Sequence, residues 1–306
     1  MKKLKLVVSL PNENSYQQEQ ARAAKKAAAE QTADVQLIFA DNDAVTQSQQ
    51  VLEIVQSRSG EKPDAILFEP LTATALARVA DAAVAAGIGW VVLTCDVDYL
   101  PALRSRGQAP AFSVTRDHTE IGRIQGQQFG ALLPEGGTVL YIQGPATSLA
   151  AVQRTTGMES TRPANLKIKS LRSPWTDQGA YEAVGAWLRL STSRAESIAL
   201  VGCQYDGIAM GARKAFKELP DSNERERWLS LPFTGIDGLP TEGQAWVDEG
   251  LLTATVISGT TTRVAIEMVV KALRSGTQPP ERTLIELSSH PSLDRLAAIG
   301  AQPRTK

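Results

Sequence analysis

The stretch Lys5-Leu6-Val7-Val8-Ser9-Leu10, joined through residues 16–31 to Val35-Gln36-Leu37-Ile38-Phe39-Ala40, decides the fold. The two outer runs are apolar and have the length of buried strands. The segment between them is dominated by Ala, Gln, Lys and Glu, all good helix formers. Strand, helix and strand at this spacing make one βαβ unit, whose strands lie parallel with the helix packed on the sheet.

Working outward, apolar runs recur at residues 65–68 and 90–94, and spaced apolar positions at 45–57 and 74–86 mark the helices between them. Residues 101–110 read as a turn-rich break. A second series follows, with strand-like runs at 111–114, 138–143, 168–171, 197–202, 233–236 and 254–257. Helical segments are expected at 119–132, 179–190, 206–218 and 241–249. The fold class expected is therefore α/β, two doubly wound parallel-sheet lobes. Ser222-Asn223-Glu224-Arg225-Glu226-Arg227 is expected to be a solvated loop.

A length of 306 residues suits two such lobes. Net charge is -1 with 21% charged residues, which gives no electrostatic reason to expect nucleic acid or an anionic membrane as partner. The start Met1-Lys2-Lys3-Leu4-Lys5 is basic, but the apolar run after it ends at Pro11, too short for the core of a signal peptide. The expectation is a chain shown without an export signal, and without an apolar run of about 20 residues for direct membrane insertion. Cytoplasmic placement is the alternative to an extracytoplasmic one.

Reactive chemistry is hard to find. Cys95 and Cys203 are far apart, lack CxxC spacing and sit at the ends of apolar runs, so both read as buried structural thiols. His118 and His290 form no metal-ligand spacing, and His118 reads as a surface histidine at a helix start. There is neither a GxSxG nor a GxxxxGK[ST] motif. No cofactor, no metal and no catalytic residue is expected.

In an open parallel sheet, ligands bind beyond the carboxyl ends of the strands, where loops converge and helix N-termini offer free N–H groups. Those ends carry Ser9, Asn12 and Glu13, then Asp41, Glu69 and Asp96. In the second series they carry Gln143, Trp175 with Asp177, Tyr205 with Asp206, Asp237 and Ser258. Carboxylates and amides pair with vicinal hydroxyls, and an aromatic ring covers the C–H face of a sugar, so the set suits a polyol. Each Asp or Asn can equally be a helix cap or turn residue. Trp90, Trp187, Trp228 and Trp246 read as packing residues.

With these residues on the page, the chain resembles the type I periplasmic sugar-binding proteins, and within them the ribose-binding branch shared with lactose-repressor-type effector domains. The segments that carry it are Leu6-Val7-Val8-Ser9 with Tyr16, Phe68-Glu69-Pro70, and Asp117 with Gly122-Arg123-Ile124-Gln125-Gly126. Further on come Gln143-Gly144 through Arg154 to Gly157, Trp175-Thr176-Asp177, Gln204-Tyr205-Asp206 with Ala209-Met210-Gly211-Ala212, and Gly235-Ile236-Asp237-Gly238.

The resemblance implies lobes joined by three crossings near Thr115, Ser258 and Leu287: residues 1–115 plus 259–286, and 116–258 plus 287–306, with the ligand cleft between them. It implies hinge closure around a small ligand by a monomeric solute-binding protein serving an ABC transporter permease. Its ligand positions fall on Glu13, Tyr16, Glu69, Asp96, Val152, Trp175, Asp177, Tyr205, Asp237 and Ser258. Ser9, Asn12, Asp117, Gln143, Arg154 and Asp206 are secondary, Arg154 as a structural support.

Several positions depart from the ribose pattern. Glu13 and Glu69 stand where asparagines are usual, Tyr205 replaces another, and Asp96 aligns only across a short insertion. Val97 and Val152 stand where the branch has arginines that reach the sugar. The site expected is acidic and poor in guanidinium groups, which disfavours ribose and leaves another sugar or polyol, or a cationic amino sugar. A signal-less sensor docking on a signalling partner is the other role; a lactose-repressor-type regulator carries a helix-turn-helix ahead of the first strand, and with only four residues shown before Lys5 DNA binding is not expected. A glycosidase pair among Glu13, Glu69 and Asp237 is the enzymatic alternative.

Overall fold

The computed structural model describes residues 3–57, 62–72, 74, 76–107, 109–190 and 197–302. Met1 and Lys2 of the basic start, position 75 of the helix expected at 74–86, position 108 of the 101–110 stretch and the last residues 303–306 lie outside the described residues. The chain divides into two compact units, Met1–Arg116 with Thr260–Ile285 and Asp117–Gly259 with Glu286–Lys306. It crosses between them at 116/117, 259/260 and 285/286.

In the first unit, β1 (Leu4–Leu10), α1 (Ser15–Glu30), β2 (Ala33–Phe39), α2 (Ala44–Gln56), β3 (Ala65–Phe68), α3 (Ala77–Ala85), β4 (Gly89–Thr94), α4 (Leu100–Ser105) and β5 (Ala111–Thr115) alternate. After the second crossing come α11 (Thr261–Ser275) and β11 (Arg282–Leu284). The sheet order is β11-β5-β4-β3-β1-β2, parallel throughout. Side chains alternate along the strands between two cores. Val7, Ile66, Phe68, Trp90 and Val92 pack toward α2, α3 and α4, while Leu6, Val8, Leu67, Val91 and Leu93 pack toward α1 and α11. Burial on both faces is why these strands are apolar without a polar alternation.

The second unit repeats the plan with β6 (Gly137–Gln143), β7 (Leu166–Arg172), β8 (Ile198–Cys203), β9 (Phe233–Asp237) and β10 (Ala254–Ile257). Its helices include α5 (His118–Leu132), α6 (Leu149–Thr161), α7 (Asp177–Leu188), α8 (Asp206–Lys217), α9 (Ser222–Leu229), α10 (Ala245–Asp248) and, after the last crossing, α12 (Leu293–Gly300). The order is β12-β10-β9-β8-β6-β7, where β12 (Ser288–His290) is antiparallel to β10 and the other pairings are parallel. In both sheets the strand order reverses beside the first strand, between β1 and β3 and between β6 and β8. Those are the switch points at which crevices open in this architecture.

Four local expectations are corrected. Residues 222–229 form a helix rather than a loop, because the Asp221 carboxylate accepts from the Asn223 and Glu224 amides and Trp228 anchors its one apolar side. The 101–110 stretch contains the short α4, with Pro101 in its first turn where proline is tolerated. The helix expected at 241–249 is a π-turn at Pro240–Gln244 followed by the four-residue α10. Cys203 is buried but Cys95 is only partly so, since it lies just past the end of β4.

Candidate functional site

At the carboxyl end of the first sheet, the polar side chains form one chain of hydrogen bonds. Gln20 on α1 donates to the Tyr16 hydroxyl at 2.7 Å and to the Thr261 hydroxyl at 2.8 Å. Thr261 lies 3.4 Å from the Thr94 hydroxyl, and Thr94 donates to Glu69 Oε2 at 2.8 Å. The guanidinium of Arg116, at the end of β5, stacks 4.5 Å over the Tyr16 ring. Tyr16, Glu69 and Arg116 are thus gathered around the switch point. Ser9 is buried beneath them and accepts from Gln47 at 3.3 Å.

The other expected residues of this unit are placed differently. Glu13 is exposed on the loop before α1. Asn12 shapes that loop, donating to Asn42 at 2.7 Å and accepting from the Asn14 amide at 2.9 Å. Asp96 accepts from Ser113 at 3.1 Å and pairs with Arg282 at 2.8 Å, so its carboxylate already has two partners at the β5 side of the sheet. An open depression lined by Gln31, Lys271 and Arg274 lies at the far ends of α1 and α11, away from the carboxyl ends.

In the second unit the organising group is Arg154. It is buried, donates to the Gln204 carbonyl and, at 3.4 Å, to His118 Nδ1. Its other nitrogen is 3.7 Å from Asp237 Oδ1, and its guanidinium lies 5.5 Å from the Trp175 ring centroid. Gly144 makes room for that ring, since a Cβ there would sit 2.2 Å from Trp175 Cζ2. The Gly144 amide is fixed by Gln204 Oε1 at 2.9 Å, and Gln143 donates to Thr155 at 3.1 Å. Ser258 donates to Asp237 at 3.3 Å.

Behind Asp237, Asp206 accepts from the Thr255 hydroxyl at 2.7 Å and the Gly238 amide at 2.8 Å. Burial first, and the Asp237 carboxylate second, push the Asp206 acid well above its ordinary range. Tyr205 is buried at the cap position of α8, Asp177 is exposed in the first turn of α7, and Asp117 caps α5 by accepting from the Glu120 amide at 2.9 Å. For Asp117 the bland capping role is the one the contacts display.

Thr94 and Asp237 are the last residues of β4 and β9, corresponding strands of the two units, and both have positive φ, 69° and 114°. Such a backbone costs on the order of 1–3 kcal/mol for a non-glycine residue and is tolerated where it aims a side chain. Here it turns a hydroxyl onto Glu69 in one unit and a carboxylate toward Arg154 in the other.

Two sequence expectations are overturned. His118 is buried, not a surface residue, because α5 and α6 pack backbone to backbone over it. The carboxyl ends are not poor in guanidinium groups: Arg116 comes from the first crossing and Arg154 from inside α6, both 4% exposed, although Val97 is buried and Val152 lies exposed. Arg116 was missed because it follows a strand by a single residue, with no motif around it. Gln20, Thr94 and Thr261, which link these groups, carried no signal either, and Gln204 stood in a segment that carried the resemblance without being read as a site residue. Among the described residues no group of three or more His, Cys, Asp or Glu side chains gathers as metal ligands do, and no helix is long and apolar enough to cross a membrane.

Residues 6–278 match a family described as "Periplasmic binding protein domain". Over 143 residues the chain is 27% identical to the ribose import binding protein of Escherichia coli (strain K12); the match spans 47% of this chain and 45% of that protein, less than half its length. An ABC transporter periplasmic solute binding protein from Actinobacillus succinogenes 130z with bound D-allose superposes with a TM-score of 0.80 at 19% identity, covering 97% of this chain and 100% of that one. An ABC transporter solute binding protein from Bacillus halodurans C-125 with bound myo-inositol gives 0.77 at 20% identity, over 97% and 98% of the two chains. At these identities the likeness establishes the fold, two parallel-sheet α/β lobes.

Proposed function

The chain belongs to the periplasmic binding protein domain family, and from that premise we propose that it captures a small neutral sugar or polyol by hinge closure, as the solute-binding component of an ABC transporter outside the cytoplasm. The observation that carries the ligand class is a matched trio in each unit. Arg116 stacks on Tyr16 near Glu69, and Arg154 stacks on Trp175 near Asp237. A ring face receives C–H groups, a carboxylate accepts from hydroxyls, and a guanidinium donates to them. Ligand contact is assigned to Glu13, Tyr16, Glu69, Trp175, Asp237 and Ser258, with Arg116 added; Asp96, Asp177 and Tyr205 complete the set.

The guanidinium groups weigh against a cationic amino sugar, because each already lies beside the aromatic that would cover the ligand. They also supply the donors that a purely acidic site would lack. The similar proteins with bound D-allose and bound myo-inositol are consistent in ligand class. Nothing in the two trios pairs a nucleophile with a base, and the role assigned is binding rather than turnover.

Calorimetry against D-ribose, D-allose, myo-inositol, D-glucosamine and D-glucuronate tests this reading. Binding of a neutral member is expected. Binding of glucosamine alone would return the cationic reading, and binding of glucuronate alone would overturn both. Nitrophenyl glycosides are expected to remain intact.

A further inference from the structure

His118 and Arg154 are brought together by the closest helix pairing in the second unit. A Cβ on Gly157 would stand 1.9 Å from the Thr119 carbonyl oxygen, and one on Gly122 would stand 2.0 Å from that of Arg154. Neither helix can shift without the other, so the first turn of α5 is fixed against the middle of α6. Arg154 Nε then donates to His118 Nδ1 at 3.4 Å. Arg154 also meets the Gln204 carbonyl, the Asp237 carboxylate and the Trp175 ring. A guanidinium stays charged at any working pH, so the group in this cluster that changes between acceptor and donor is the imidazole.

We propose that His118 is a positioning residue which, through Arg154, sets the Trp175 ring and the Asp237 carboxylate, and that a proton on its Nδ1 releases them. The inference rests on the ligand role given to Trp175 and Asp237 above. A protonated Nδ1 is a donor facing a donor and a cation beside a cation. The guanidinium must then move, and it carries with it the hold on the ring face and on Asp237.

Asp117 and Glu120 on the start of α5 are engaged, by the Glu120 amide and by Arg123 at 3.2 Å. α6 presents Arg154 itself. Beyond it stand Asp237 at the end of β9 and Asp206 on α8. β10 contributes no titratable side chain, and β12 and α12, which carry His290, Asp294 and Arg295, meet the far half of α5, where Gln128 bonds Ser289 and Gly300 abuts Ala131.

Nuclear magnetic resonance on the full chain tests the coupling without a ligand. With two histidines and five tryptophans, the His118 ring and the Trp175 indole N–H are identified by their loss in His118→Asn and Trp175→Phe. In the wild type the Trp175 indole signal is expected to move with pH at the midpoint of the His118 ring. In His118→Asn, whose side-chain oxygen still accepts from Arg154, it should stay near its high-pH position throughout. His118→Leu, which offers no acceptor, should displace it at every pH.

Calorimetry with D-allose and myo-inositol as probes adds the functional arm. Protonation is expected to weaken wild-type binding about tenfold, the scale of one hydrogen bond to a charged group, while His118→Asn binds with no such pH dependence. An indole signal that ignores both the His118 titration and the His118→Leu change overturns the inference. If neither probe binds while the indole signal still follows His118, the ligand assignment fails and the positioning role stands.

Discussion

The guanidinium carbon of Arg116 lies 4.5 Å from the centroid of the Tyr16 ring, both buried at 4% exposure. One residue is the last of the first unit before the chain crosses, and the other opens the helix after its first strand. A guanidinium stacks flat on a ring and donates through a planar fork, which a lysine in the same place does not reproduce. Arg116→Ala is expected to weaken binding of a neutral sugar by about 1–3 kcal/mol, the range for a charged hydrogen bond lost together with its packing. Arg116→Lys should recover only part of that. Calorimetry of both variants beside the wild type measures it, and equal affinity in all three would confine Arg116 to packing.

Trp175 and Asp237 are the ring and the carboxylate beside Arg154 in the second unit, and their substitutions separate ring coverage from hydroxyl acceptance. Trp175→Ala is expected to cost about 2–4 kcal/mol of binding free energy, as truncation of a central aromatic does. Asp237→Asn keeps the shape but weakens acceptance and the attraction to Arg154, for about 1–2 kcal/mol. Titration with the best neutral member of the sugar panel checks the ranking. Unchanged affinity in both would move the ligand elsewhere.

Much of this fold was legible because a parallel sheet covered on both faces writes itself as uninterrupted apolar runs. Ile66 and Leu67 face opposite cores and are both fully buried. The strand ends were legible for the same reason, since each polar residue after such a run stands out. What stayed hidden has physical causes. The helix Ser222–Leu229 buries only Trp228 and is held by its Asp221 cap, so it shows no apolar period. The resemblance points to Val97 and Val152 for guanidinium groups, whereas the chain brings them from the crossing and from two residues further along α6, where half a helical turn takes the side chain from the exposed face of Val152 to the buried one. The partnership of His118 with Arg154 spans 36 residues and depends on two glycines whose meaning emerges only when the helices pack.

Those glycines make a stability prediction with an internal control. Gly157→Ala would place a methyl group 1.9 Å from the Thr119 carbonyl oxygen, where backbone rather than a flexible side chain must yield. A loss of about 1–3 kcal/mol is expected, as for other overpacked sites. Gly185, inside α7, has no atom within 4 Å of an added Cβ. Gly185→Ala should therefore stabilise by about 0.5–1 kcal/mol through helix propensity alone. Urea denaturation of the two variants reads the opposite signs, and a neutral Gly157→Ala would mean that α5 and α6 separate more easily than their contacts imply.

Asp206 gives the molecule a pH dependence of defined sign. Burial, then the charge on Asp237, raises its acid well above the ordinary 3.8. The folded chain retains a proton there that the unfolded chain has released once pH exceeds about 4. The native state therefore binds more protons across that window, and the contribution of Asp206 to stability falls as pH rises, levelling off only above the folded-state value. Asp206→Asn removes the titration while keeping an acceptor for the Gly238 amide, and its amide can donate to the Thr255 hydroxyl in place of the bond that hydroxyl now makes to the acid. Relative to the wild type, the variant should gain unfolding free energy as pH rises from about 4 toward the raised folded-state value and keep that gain above it, as measured by urea denaturation at each pH. A difference that stays constant over that range would rule out a proton held on Asp206 in the folded chain.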